Sequence, residues 1–241
     1  MLSVIPLVMT SCAMSEKDNY IGGDVSGQGG SLARFTISGN YLYTVDQSSL
    51  HTISLADVEH PQKVADKSLG IYTETIYPYR NSLLLGTETG MFVYDLSNPA
   101  SPEQLTYFQH IRSCDPVVAQ DDYAYVTLNT GNQRCFNGTN ELQILDIKNL
   151  NSPQLVKTIS LSTPLGLDIE NDTLYLCDQG LKVFNVADKK NPVQINYFSD
   201  IKAQDVIHQP GRVIVIGTDG LYQYRQTASG LQKISTIPIQ L

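Results

Sequence analysis

The chain has no tryptophan, few basic residues and no histidine in useful company, and each shortage removes a class of function. Lysine and arginine total 16 against 24 acidic residues, giving a net charge of -8 and a pI near 4.9. A surface so poor in cations does not attract a phosphate backbone, so nucleic acid is not an expected partner. His51, His60, His110 and His208 form no metal-ligand pair, and no GxSxG nucleophile elbow is present. The glycine-rich stretch ending at Gly30 lacks the preceding strand and following Lys-Ser/Thr of a phosphate loop. These absences lead to an expectation of no cofactor, no metal and no catalytic residue set. Helical spacing with caps is also missing at length.

What the chain does have is a repeat. Met91 to Leu105, MFVYDLSNPASPEQL, returns as LHTISLADVEHPQKV from Leu50, LQILDIKNLNSPQLV from Leu142 and LKVFNVADKKNPVQI from Leu181. A shorter copy without the proline, LYQYRQTASGLQKI, starts at Leu221. A period of about 40 residues marks a fold built from one supersecondary unit that buries its apolar face against its neighbours. Before each copy lie two more short runs rich in Val, Ile, Leu and Tyr, separated by Gly, Asn, Asp and Ser. That is the signature of β-strands joined by tight turns.

Four short strands per unit and five units predict an all-β chain, a five-bladed β-propeller built from four-stranded antiparallel blades. The blades are expected at about 33–69, 73–109, 114–161, 165–199 and 204–237 within a domain spanning 31–241. A sandwich would not explain the repeat, and an open solenoid would need polar capping units. The absence of tryptophan excludes the tryptophan-aspartate type of propeller.

The core motif, apolar-apolar-Asp-apolar-Ser-Asn-Pro-x-x-Pro in MFVYDLSNPASP, resembles the LVIVD repeat of bacterial β-propeller proteins over about Leu32 to Ile237. Repeats two and three match best. Repeat four has Asn185 in place of the aspartate, and repeat five has lost both aspartate and proline. The resemblance implies a fold and brings no catalytic residues with it.

The N-terminus is read in two pieces. Residues 1–11 are apolar and end in small residues before Cys12, so Leu7 to Cys12 looks like a bacterial lipobox with Cys12 as the lipidated residue, though without the basic n-region of a secretory peptide. Residues 12–30 are polar and glycine-rich and read as a flexible tether. Glu16 and Asp18 after the cysteine resemble export signals of surface lipoproteins in Bacteroidetes. The expected location is the bacterial outer membrane, facing outward, with the membrane reached through the lipid on Cys12.

Aligning the units places Ala33-Arg34, Glu74-Thr75, Cys114-Asp115 and Gln204-Asp205 at the start of the innermost strands. Arg34, Glu74, Asp115 and Asp205 are thus expected to ring one channel mouth, with Arg112 and His110 beside them. Repeat three carries an insertion at 129–140 between its second and third strands, with Gln133, Arg134 and Phe136 at its tip. Strand antiparallelism returns this insertion to the end where Cys114 lies, so Cys114 and Cys135 are expected to form a disulfide, worth roughly 3 kcal/mol for a loop of about 20 residues. Cys177, inside a strand, is expected to pack as a small hydrophobe. Asp168, Glu170 and Asp172 read as a solvated strand end and turn, since they lack the spacing of a calcium loop.

The expected function is that of a surface-anchored binding module for an unknown ligand or envelope protein. One alternative is a carbohydrate-active hydrolase or lyase using carboxylates at the channel mouth, where two acids at about 5 to 10 Å would suffice. Another is a structural subunit of an envelope assembly.

Overall fold

Tight turns set the architecture. After each innermost strand the chain reverses within two residues, and the first of these takes the positive φ that primed hairpin turns need: Gly39 at 55°, Arg80 at 52°, Asp121 at 53° and Asn171 at 51°. The fifth such hairpin differs, with Pro210 followed by Gly211 at 75°, the order expected of a type II turn.

The computed structural model describes residues 30–109, 116–130, 139–227 and 230–239. Among them lie twenty strands and no helix. Blade 1 holds β1 (Phe35–Ser38), β2 (Tyr41–Val45), β3 (Ser49–Ser54) and β4 (Gln62–Ser68). Blade 2 holds β5 (Thr73–Tyr79), β6 (Ser82–Thr87), β7 (Gly90–Asp95) and β8 (Glu103–Gln109). Blade 3 is β9 (Val117–Gln120), β10 (Tyr123–Leu128), β11 (Glu141–Asp146) and β12 (Gln154–Ser160). Blade 4 is β13 (Pro164–Glu170), β14 (Thr173–Asp178), β15 (Leu181–Asn185) and β16 (Val193–Phe198). Blade 5 is β17 (Ala203–Gln209), β18 (Arg212–Gly217), β19 (Gly220–Thr227) and β20 (Gly230–Pro238). Each blade is an antiparallel sheet whose strands pair in chain order, which makes the chain a five-bladed β-propeller.

The aspartate of the repeat has a local task. At the end of the third strand, Asp95 accepts the Ser97 N–H at 3.1 Å and Asp146 the Lys148 N–H at 2.9 Å, a side-chain turn that reverses the chain toward the outer strand. Asn185 accepts from Ala187 at 3.0 Å and Ser54 from Ala56 at 3.3 Å, so the departures in repeats four and one keep the same turn. Every blade also has a register shift between its third and fourth strands, at Thr52/Ile53, Val93/Tyr94, Ile144/Leu145, Val183/Phe184 and Gln223/Tyr224. A bulge repeated at one place adds the same extra twist to each outer strand.

The core sits between blades. Val45 and Leu50 meet Ile76, Leu85 and Phe92 between blades 1 and 2; Leu84 and Val93 meet Val117 and Val126 between blades 2 and 3. Tyr125 and Ile144 meet Leu167 and Leu176 in the next space, and Cys177 and Leu181 meet Val206 and Val215 in the fourth. Cys177 is fully buried, and burial pushes its thiol well above the usual range, as suits a small packing residue.

The space between blades 5 and 1 is different. The inner-strand residues that plug the other spaces, Ile76, Val117, Leu167 and Val206, are at most 1% exposed, whereas Phe35 at the same place in blade 1 is 58% exposed. On the facing side of blade 5, Ile216 is 40% exposed. What bridges this seam is a turn at 30–33, closed by the Ala33 N–H to the Gly30 carbonyl at 2.9 Å. Its Ser31 is buried, accepts the Leu167 N–H at 2.8 Å and donates to Asp205 at 3.2 Å. Blade 1 is thereby tied to blades 4 and 5 by the hydrogen bonds of Ser31.

Candidate binding site

The inner strands of blades 4 and 5 each hold a carboxyl out of full contact with water, Asp168 and Asp205. Asp205 on β17 receives Ser31, its neighbour's Val206 N–H at 3.0 Å and the Leu32 N–H. Burial pushes its carboxyl up to about 6, and the charge of Asp168 adds to the shift. Such a close fit needs a glycine opposite, since a methyl group on Gly166 would lie 2.1 Å from an Asp205 oxygen.

Asp168 on β13 is 4% exposed, in contrast to the solvated strand end expected from the sequence. Its oxygens accept the Ile169 N–H at 2.8 Å and, across the blade boundary, the His208 N–H at 2.6 Å. Burial raises this carboxyl too. Blade 2 makes the matching link with opposite polarity: Tyr77, at the place of Asp168, donates its hydroxyl to the Ala119 carbonyl at 3.3 Å. In both cases a polar side chain ties one inner strand to the next.

Beyond Asp168 a polar chain runs outward. His208 Nε2 lies 3.0 Å from Glu170 Oε1, and Gln226 Nε2 donates to Glu170 Oε2 at 2.5 Å and to the Tyr175 hydroxyl at 2.6 Å. Burial pushes Tyr175 up to about 12, so its hydroxyl stays protonated. Tyr175 and Gln226 then form the wall of a groove of about 690 Å³ between blades 4 and 5. Val183, Ile195 and Leu231 supply apolar surface, and Thr173, Asn196 and Thr227 supply hydrogen-bonding groups. Among the described residues the lining has no charged side chain, so the groove suits an uncharged ligand with one apolar and one polar side.

The residues singled out from the sequence fall into three groups. Arg34 and Asp205 occupy equivalent places, but Arg34 is exposed and donates to the Tyr72 hydroxyl at 3.2 Å, away from the groove. Glu74 stands one residue earlier than this pair, at a register shift between Thr73 and Thr75, because Thr75 aligns with them in the hairpin register. In blade 3 the equivalent place is held by Pro116, next to Val117 at the start of β9. Arg112, Asp115, Arg134, Phe136, His110, the pair Cys114 and Cys135, and Cys12 lie outside the described residues. Glu170, His208, Tyr175 and Gln226 were not picked out by sequence reasoning. The one signal was the acidic alternation at 168, 170 and 172, which marks a strand buried on one face.

The groove opens at the end where the first and second strands join, opposite to the end where β10 leads into the insertion and returns through β11.

Residues 29–53 and 111–160, within blades 1 and 3, match the LVIVD repeat. No curated protein matches the chain. Among solved structures, a protein from Lactobacillus plantarum is similar with a TM-score of 0.68 and 11% identity, over 83% of this chain and 72% of its own. The periplasmic gluconolactonase PpgL of Pseudomonas aeruginosa gives 0.66 at 14% identity, over 84% and 69%. AztD of Citrobacter koseri gives 0.61 at 13%, covering 83% of this chain, which spans 61% of that protein's length. Identities this low carry the fold alone. The chain is a β-propeller of five blades, two segments of which match the LVIVD repeat.

Proposed function

We propose that the protein is a binding module whose ligand lies in the groove between blades 4 and 5. The observation that carries this reading is the uncharged lining, among the described residues, backed by a half-buried polar chain, Gln226 to Glu170 to His208, which fixes the Gln226 amide and the Tyr175 hydroxyl before a ligand arrives. With both its N–H groups donated, Gln226 presents its carbonyl oxygen as an acceptor beside the Tyr175 O–H donor, and such a pair on a half-apolar wall recognises a sugar ring or a stretch of peptide backbone. Asp168 and Asp205 we assign to positioning, because their oxygens are taken by backbone N–H groups and Ser31. The apolar segment ahead of Cys12 supports attachment of this module to a bacterial envelope membrane through a lipid on that cysteine.

The test is a thermal-shift and NMR screen of neutral oligosaccharides and short peptides against wild type, Asn196→Ala and Gln226→Ala. A hit that shifts wild type and loses at least fivefold affinity in both variants supports the reading. A hit that binds all three equally places the site elsewhere. Labelling with a fatty-acid analogue in a bacterial host, wild type beside Cys12→Ser, tests the anchor, and equal labelling of both removes it.

A further inference from the structure

The fifth blade departs from the repeat at one spot. In the first four blades the residue ending the third strand is a short acceptor, and the cross-strand partner that opens the second strand is uncharged: Ser54 faces Tyr41, Asp95 faces Ser82, Asp146 faces Tyr123 and Asn185 faces Thr173. In blade 5 the same register sets Arg225 opposite Arg212. The turn cap has been replaced by a cation, and a second cation stands directly across from it.

Like charges directly opposite on adjacent strands repel, and nothing among the described residues relieves this pair. Both arginines are exposed, and neither has a side-chain partner among the described residues. They are flanked in the same cross-strand row by Gln209 and Gln232, so the row offers only hydrogen-bond donors and amides and no carboxylate. Two uncompensated arginines side by side on a chain of net charge -8 form a local site for an anion.

The face that bears this row is the one turned to the open seam. Val213, Val215 and Tyr224 pack against blade 4, so Arg212, Ile214, Ile216, Leu221 and Arg225 look the other way. From the arginines the face runs through Ile214 to Ile216 and Leu221, a span of roughly 13 Å at about 3.3 Å per residue. Phe35 lies exposed on the side of blade 1 that faces it. On this face the 30–33 turn covers Asp205 at the inner strand, and Ile216 beside it is exposed among the described residues, so a cationic end and an aliphatic run select a ligand with the complementary order.

We infer that the seam face of blade 5 binds a long-chain monocarboxylate, its carboxylate held between Arg212 and Arg225 and its alkyl chain lying along Ile214 and Ile216. The site is separate from the groove on the opposite face of the blade and does not depend on it.

The experiment is calorimetric titration of the full chain with decanoate below its micellar concentration. Uncharged decyl maltoside, acetate and inorganic phosphate serve as separate arms. Decanoate should bind wild type and lose at least tenfold affinity in Arg212→Gln/Arg225→Gln, an exposed pair whose exchange leaves the melting temperature within a few degrees. Ile214→Asn should weaken decanoate without affecting the fold of the opposite face, read from the chemical shifts of Val213 and Val215. Equal binding of decyl maltoside would overturn the role of the charge, and equal binding of acetate or phosphate would overturn that of the chain. No binding of decanoate, or binding unchanged by the double substitution, would overturn the proposal outright.

Discussion

Blade 5 has two faces that meet their neighbours in opposite ways. Toward blade 4, Val206, Val213 and Val215 are fully buried and the polar links from Asp168 to His208 cross the boundary within the inner strands. Toward blade 1, Ile216 and Phe35 remain exposed, and among the described residues the joint depends on the 30–33 turn, of which Ser31 alone is buried. Both faces come from the same alternation of aliphatic residues along β18 and β19. Alternation specifies that a face is apolar; whether it is covered depends on the blade brought against it.

The largest effect should separate the two joints directly. Leu181→Ala, at a fully buried position between blades 4 and 5, should cost about 2 to 5 kcal/mol in denaturant unfolding, whereas Phe35→Ala should cost less than about 1 kcal/mol. Comparable costs would mean that the seam is packed in solution.

The central carboxyl sharpens the same contrast. Asp205 titrates at about 6 in the folded chain against about 4 when unfolded, so the folded state binds its proton more tightly. Stability from this group is complete below about pH 4 and is lost as the pH rises through 6, a change of roughly 2 to 3 kcal/mol. Asp178 and Asp188, whose carboxyls are held below the usual range, act in the reverse direction at lower pH, so the effect is read as wild type minus Asp205→Asn. A difference that stays flat between pH 4 and 7 would show that the carboxyl is not raised.

Gly166→Ala pushes a methyl group onto that carboxyl and should cost about 1 to 3 kcal/mol. In Gly166→Ala/Asp205→Ala the combined cost should be less than the sum of the two, because the second change removes the carboxyl atoms the methyl meets and leaves only the Cα of residue 205 at 2.8 Å. Full additivity would mean that the two residues are not in contact.

The smallest effect concerns the repeat itself. Asp146→Ala removes the acceptor for Lys148 N–H and should cost about 1 kcal/mol, while Asn185→Asp, which keeps an acceptor, should stay within about 0.5 kcal/mol. Thermal melts of the two variants check this.

The fold was legible because each blade repeats the same short strands and turn residues, and those residues act locally: Asp95 and Asp146 cap turns two residues away. The candidate site was much less so. Gln226, Glu170, Tyr175 and His208 come from two blades and meet only when the sheets stack, and none carries a spacing that points to the others. Asp168 read as solvated because its neighbours Glu170 and Asp172 are polar, yet alternation turns it inward onto the next blade. Glu74 and Asp205 group into one ring in the sequence although Thr75 holds the place of Asp205, and the register shift that sets Glu74 apart shows only in the strand pairing.

The turn that carries Ser31 also bears on how the chain reaches its final form. Its two partners, Leu167 and Asp205, lie 136 and 174 residues further along, whereas the hairpins of every blade close over a few residues. Contacts of such long sequence separation form late, after the loop entropy of the intervening chain has been reduced by folded blades. Ser31 leaves the ribosome before any blade is complete and must wait for the fourth and fifth. A folding intermediate with ordered blades and a free first turn is the expected species, and protection of the Leu167 amide from hydrogen exchange would mark the moment the ring is tied.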